Sequence, residues 1–151
     1  MIETIEPLIR NHPVFKTLNP EHIKLVVGCA SNVVFSEGDL IFKEGDDANT
    51  FYLVRHGNII IETYSFKGEA IGIHSASEGD VLGWSWMVPP FRWHFNARAV
   101  EQSRLIAMNG QCLRDKFDSD HNLGYAMMNI FMEIMTDRLE ATRLQLLDVY
   151  R

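Results

Sequence analysis

The sequence predicts a mainly β fold with flanking helices: a jelly-roll-type β-roll of the double-stranded β-helix kind, closed by a long C-terminal dimerisation helix. Three observations lead there. Short β-branched or aromatic runs follow one another across residues 32–108. Glycines separate them, notably in Gly38-Asp39, Gly45-Asp46, Gly57-Asn58 and Gly79-Asp80. An apolar heptad pattern then fills the C-terminal segment. Many short strands divided by turn signals close into a roll or barrel.

Residues 1–31 read as N-terminal helices. Leu8, Ile9, Val14, Phe15 and Leu18 form one apolar set. Asn19-Pro20-Glu21 opens a second helix, with an N-cap followed by proline at the first helical position. Ile23, Val26, Val27 and Ala30 are its apolar face.

Residues 32–109 read as the roll. Strand signals lie at 33–35, 40–42, 51–54, 59–61, 70–73 and 104–108. Glycine tolerates positive φ, and a following Asp or Asn bonds its own backbone, so the pairs make tight corners.

Residues 110–151 read as C-terminal helices. A short helix covers Leu113 to Phe117, Asp118-Ser119-Asp120 breaks it, and a long helix follows from about Asn122 to Leu147. Met128, Met132, Met135, Leu139, Thr142, Leu146 and Val149 step alternately by four and three, a heptad seam. Leu123, Met127, Ile130 and Ile134 form a second face. One face packs the roll and the other a second copy; the alternative is burial of both within one monomer.

The whole chain, 1–151, is expected to be one domain: it has 151 residues, 46% apolar and 23% charged. Net charge is −6, with no basic run, which argues against direct nucleic-acid binding. No apolar stretch is long enough to span a bilayer, and Met1-Ile2-Glu3-Thr4-Ile5-Glu6 does not read as a secretory leader. A cytoplasmic protein is expected, with Cys29 and Cys112 as two isolated buried thiols.

The run from Phe35 to Ile59, with Gly38-Asp39, Gly45-Asp46 and Gly57-Asn58 at its corners, followed by Gly79-Asp80-Val81-Leu82-Gly83, resembles a cyclic-nucleotide-binding domain. The resemblance extends to the leading helices and the long last helix, and implies a flattened β-roll flanked by helices. In the catabolite-activator-like branch the long helix makes the dimer, and a winged helix-turn-helix follows. Here the sequence reaches Arg151 without such a module, so DNA reading is not expected.

The family's cassette implies specific chemistry. A short helix after the glycine presents backbone N–H groups to the cyclic phosphate. A glutamate next to that glycine accepts the ribose hydroxyl, and a later arginine, followed by Ser or Thr, pairs with the phosphate. In segment 79–99 of this sequence, Gly83 is followed by Trp84-Ser85-Trp86. Anchoring on Arg98-Ala99 places Trp93 at the arginine position and His94 at the Ser or Thr. Indole neither accepts a hydrogen bond nor carries charge. Ordinary cyclic AMP or cyclic GMP binding is therefore not expected.

Arg92 stands one position early, and a shift at Pro89-Pro90 would bring it in; otherwise it is a surface residue. His94 would meet an anion better below neutral pH. Trp84, Trp86, Phe91, Trp93 and Phe95 make a dense aromatic cluster that suits a nucleotide or another flat anionic small molecule, or else fills the pocket as core. On the long helix, the resemblance puts Thr142 at the base-contacting position with Arg143 beside it. Thr142 also fits the seam as a polar register-setting residue.

The candidate ligand residues are thus Gly83, Trp84, Ser85, Trp86, Arg92, Trp93, His94, Thr142 and Arg143, and the candidate dimer seam is Met128, Met132, Met135, Leu139 and Leu146. No catalytic or metal-binding residues are assigned. A cupin-type metal site needs clustered ligands, and His74 with Glu78 is too thin a set. A haem sensor would need His74 or His94 as axial ligand. The expected function is a non-enzymatic ligand-sensing regulatory module acting on a partner protein. The alternatives are a ligand-free dimeric interaction scaffold and a cyclic-AMP-responsive transcription-regulator-like protein.

Overall fold

The computed structural model describes residues 2–150, so Met1 and Arg151, the ends of the expected unit, lie outside the described residues. In chain order the elements are α1 (Ile2–Asn11), a 3₁₀ turn at Pro13–Phe15, α2 (Pro20–Val27), β1 (Ala30–Phe35), β2 (Leu40–Phe42), β3 (Thr50–His56), β4 (Asn58–Tyr64), β5 (Ala70–Ser77), β6 (Val81–Leu82), a 3₁₀ turn at Ser85–Met87, β7 (Asn96–Ala99), β8 (Ser103–Asn109), α3 (Gly110–Ser119) and α4 (His121–Val149).

The strands form two four-stranded sheets with orders β1-β8-β3-β6 and β2-β7-β4-β5, all neighbours antiparallel. This is the expected jelly-roll-type arrangement. The strand signals pass over β6 and β7: each is short, and β7 is half alanine. β7 forms because it sits between β2 and β4, so pairing overrides weak propensity.

Two corners repeat one device. Ser36-Glu37-Gly38-Asp39 and Ser77-Glu78-Gly79-Asp80 each have the serine N–H donating to the aspartate Oδ2, at 2.8 and 2.9 Å, and the aspartate N–H returning to the serine carbonyl. The glycines there take φ of 89° and 91°.

Alternation along β3 and β8 divides the core. Phe51, Leu53, Ile106 and Met108 face the helices, joining Ile5, Ile9, Phe15 and Val26. Tyr52, Val54 and Leu105 face the other sheet, with Ile41, Ile59 and Ala97. The sheet holding β1, β8, β3 and β6 is thus covered on both faces. From α4, Leu123, Met127, Ile130 and Phe131 enter the helix-side core. Asn19 caps α2 and Asp120 caps α4 through their side chains.

The cysteines differ from expectation. Cys29 and Cys112 form a disulfide with Cα atoms 5.7 Å apart. The reason is register: Ala30 pairs with Met108, and Asn109 N–H donates to the Cys29 carbonyl at 2.9 Å. Asn109 then caps α3, whose first turn carries Cys112 back over Cys29. Nothing in the 83-residue sequence separation reveals that pairing. The cysteines therefore give no argument for a reducing compartment.

Candidate functional site

A cavity of about 270 Å³ opens between the roll and the second half of α4. Its wall combines Phe42 of β2, Ile61 of β4, Ile73 and His74 of β5, residues 81–85 and 93–95, and Arg138, Thr142 and Gln145 of α4.

Gly83 makes the wall possible. Its φ is +87°, and a Cβ there would lie 2.7 Å from the Trp93 indole. Both the left-handed backbone and the close approach of the ring demand glycine. Trp93 is buried and stacks on Phe42, with ring centroids 3.8 Å apart and planes 10° apart. Trp84 and Ser85 continue the wall, and His94 and Phe95 face it from the other end of the loop.

Arg92 is placed elsewhere. The stretch 91–93 pairs with the loop after β2: Ala48 N–H donates to the Phe91 carbonyl, Gly45 N–H to the Trp93 carbonyl, and Trp93 N–H to the Asp46 carbonyl. An extended chain sends alternate side chains to opposite sides. Trp93 goes in and Arg92 goes out, where it donates to the Gly45 carbonyl at 3.0 Å and pairs with Asp47 at 3.2 Å. Of the two alternatives for Arg92, a shift into the cavity and a surface position, the structure takes the surface one.

Trp86 is likewise not in the wall. It is fully buried in the helix-side core, against Phe51 and Phe131. Its indole N–H has no hydrogen-bond partner among the described residues, a cost of about 1–3 kcal/mol for a buried donor. Arg114 of α3 secures the segment, donating to the Trp86 carbonyl and lying 5.1 Å from the Phe91 ring centroid. Arg143 points to Glu140 at 3.6 Å and does not line the cavity.

Thr142 does line it, with its hydroxyl donating to the Arg138 carbonyl at 2.9 Å. The proposed seam residues Met128, Met132, Met135, Leu139 and Leu146 are all exposed on α4. The helix therefore carries two faces, as the spacing predicts.

Among the polar wall residues, Arg138 and Gln145 are absent from the sequence reading of the site, and His74 enters it only as a metal or haem ligand; the apolar wall residues Phe42, Ile61, Ile73, Val81 and Leu82 are absent from it too. Arg138 lies one helical turn before Thr142, a spacing that puts both on one face. His74 needs the structure, because strand alternation would send Ile73 and His74 to opposite faces. The β4–β5 register runs from Ile61↔His74 to Glu62↔Gly72, skipping Ile73, and this irregularity lets both side chains reach the wall.

The electrostatics favour an anion. Chain-wide there are 20 acidic residues against 14 Lys and Arg, yet the wall holds Arg138, His74 and His94 and no Asp or Glu. Burial, with Arg138 second and Asp80 opposing, holds His74 below the usual histidine range. Arg98 adds nothing to the wall: its Nε donates to buried Glu62 at 3.0 Å and its Nη1 to the Gly38 carbonyl. That hydrogen bond is the main reason Arg98 is held even more firmly protonated than usual.

Residues 32–120 match the model of the cyclic nucleotide-binding domain. The chain belongs to the cyclic nucleotide-binding domain family. Among solved structures, it is similar to a Geobacter metallireducens protein assigned to cyclic nucleotide binding, at 26% identity and TM-score 0.79, over 89% of this chain and 97% of that one. A cyclic nucleotide-binding domain from Methylobacillus flagellatus shares the fold at 14% identity and TM-score 0.82, over 97% and 83% of the two chains. So does the sensor domain of the transcriptional regulator DNR from Pseudomonas aeruginosa, at 17% and 0.73, over 92% and 93%. No curated protein matches the chain.

Among the described residues, no group of three or more His, Cys, Asp or Glu is placed to hold a metal ion. No described helix is long and apolar enough to cross a membrane.

Proposed function

We propose that this member of the family is a non-enzymatic ligand-sensing regulatory module whose cavity takes a flat, apolar, anionic small molecule instead of a cyclic nucleotide. One observation carries the reading. Where the family resemblance implies a phosphate-binding arginine, Trp93 stacks on Phe42 and walls the cavity, while Arg92 turns outward to Asp47. With Trp84 at the ribose-acid position, the cassette offers neither the cation nor the carboxylate that a cyclic nucleotide needs. A phosphate buried there would lose its paired charge, which costs several kcal/mol. The aromatic wall offers stacking faces in their place.

The module acts as a homodimer through α4, with a partner protein receiving the signal and no direct nucleic-acid contact. Leu139 and Met132 are 50% and 64% exposed on a heptad spacing, and a second copy of the same helix is the occupant that a self-complementary seam fits. Ligand held between the cassette and α4 would bias the position of that helix, and thereby the dimer.

The close stack of Trp93 on Phe42 also favours a second reading, a ligand-free dimeric scaffold whose old phosphate site is filled by indole. Thermal melting against a panel of aromatic acids and nucleotides separates the two. The sensor reading expects one chemical class to raise Tm, because a ligand bound only to the folded state stabilises it. No shift from any compound supports the scaffold. In parallel, Trp84→Glu with Trp93→Arg is expected to create measurable cyclic AMP affinity; a folded double variant without it contradicts the assignment of those two positions.

A further inference from the structure

We infer that the ligand's negative charge is held from the helix side, by Arg138 of α4 with His74 of β5, so that the ligand class is a planar aromatic monocarboxylate lying with its ring on the cassette tryptophans and its carboxylate towards α4. The inference rests on the cavity reading above and adds to it the anchor, the charge and the orientation. In the arrangement that the family resemblance implies, the charge goes to the cassette and the flat base to the long helix. Here the two roles are exchanged.

The cations of the wall decide this. Arg138 is its one Arg or Lys, and it is half-buried. Among the described residues its guanidinium has no carboxylate within ion-pair distance. Three neighbouring arginines of the cassette region and α4 are committed to carboxylates instead: Arg92 to Asp47, Arg98 to Glu62, Arg143 to Glu140. A half-buried guanidinium facing a cavity without acids is an anion site in waiting, since its five donors match a carboxylate's two oxygens.

Arg138 also sits on the inward stripe of α4. Met127, Phe131 and Ile134 approach it by helical steps along the face packed on the core, and Thr142 and Gln145 continue beyond it. His74 reaches the same space from β5 and is close enough to Arg138 for their charges to interact. A neutral imidazole beside the guanidinium supplies one further N–H donor. The ring end is supplied by Trp84, Trp93 and Phe42, with Ile61 and Val81 behind. One arginine balances one negative charge, which favours a carboxylate over a doubly charged phosphate monoester.

The test compares two probes of the same shape, naphthalene-1-acetate and naphthalene-1-acetamide, by isothermal titration calorimetry. The proteins are the unmodified chain, Arg138→Gln, and Arg143→Gln as a control at a neighbouring arginine that does not line the cavity. The unmodified chain and Arg143→Gln are expected to bind the acetate about tenfold or more tighter than the amide. Arg138→Gln should bring the two probes within about twofold while leaving amide affinity unchanged. Far-UV circular dichroism confirms that each variant is folded. A preference for the acetate that survives Arg138→Gln overturns the anchor while leaving the cavity reading intact, and equal affinity of the unmodified chain for both probes overturns the anchor and the ligand's charge, leaving only a flat apolar site. Binding of neither probe overturns the anchor and the cavity reading together.

Discussion

Trp84 and Trp93 carry the functional proposal, and the sequence reading places Trp84 by its adjacency to Gly83 and Trp93 by the Arg98-Ala99 anchor; both line the cavity. Arg92 was not legible: whether it entered the cavity depended on hydrogen bonds to residues 45–48, far away in sequence. Gly83 tests the wall most simply. Gly83→Ala forces a side chain onto a φ of +87° and into the Trp93 ring, so we expect a loss of about 2 kcal/mol or more by urea unfolding, with a shift in Trp93 fluorescence. An unchanged midpoint contradicts that packing. His74 gives a pH signature. Its folded pKa lies below that of the unfolded chain, mainly through burial, with Arg138 adding and Asp80 opposing. Below the unfolded value the unfolded chain binds more protons, so stability is retained above about pH 6.5 and falls as the pH drops towards the folded value. His74→Gln should flatten that part of the Tm-versus-pH curve; an identical slope in the variant rules out His74 as its source.

At the scale of elements, the helices were read best. The 3.6-residue period, the Asn19 and Asp120 caps and the break at 118–120 define them locally. The two faces of α4 were also legible, since Leu123, Met127 and Ile130 are buried while Met128, Met132 and Leu139 are exposed. β6 and β7 were not, because their pairing rather than their composition makes them strands. The irregular register that brings His74 to the wall belongs to the same class: a strand's own sequence does not encode which residue its neighbour skips. The seam prediction belongs here. On the proposed seam, Leu139→Glu would place like charges opposite each other, so we expect a dimer for the unmodified chain and a monomer for the variant by sedimentation velocity. Met132→Glu should act alike. A dimer that survives both changes uses another surface.

Across the whole molecule, the Cys29–Cys112 disulfide joins the end of the N-terminal helical segment to the start of the C-terminal one, around the entire roll. It was illegible because two isolated cysteines give no pairing until β1 and β8 set their register. Closing so long a loop reduces the freedom of the unfolded chain, so reduction should lower unfolding free energy by about 2–4 kcal/mol. Denaturant melts with and without dithiothreitol measure this, and coincident curves contradict a formed crosslink. The same scale holds the proposed exchange of cavity chemistry, in which the indoles of Trp84 and Trp93, lining the cavity between the roll and α4, stand for the acid and cation that the family resemblance implies. The most direct test is calorimetric titration of the unmodified protein with cyclic AMP. The account predicts no saturable heat up to about 1 mM ligand; a single-site isotherm at micromolar affinity would contradict it.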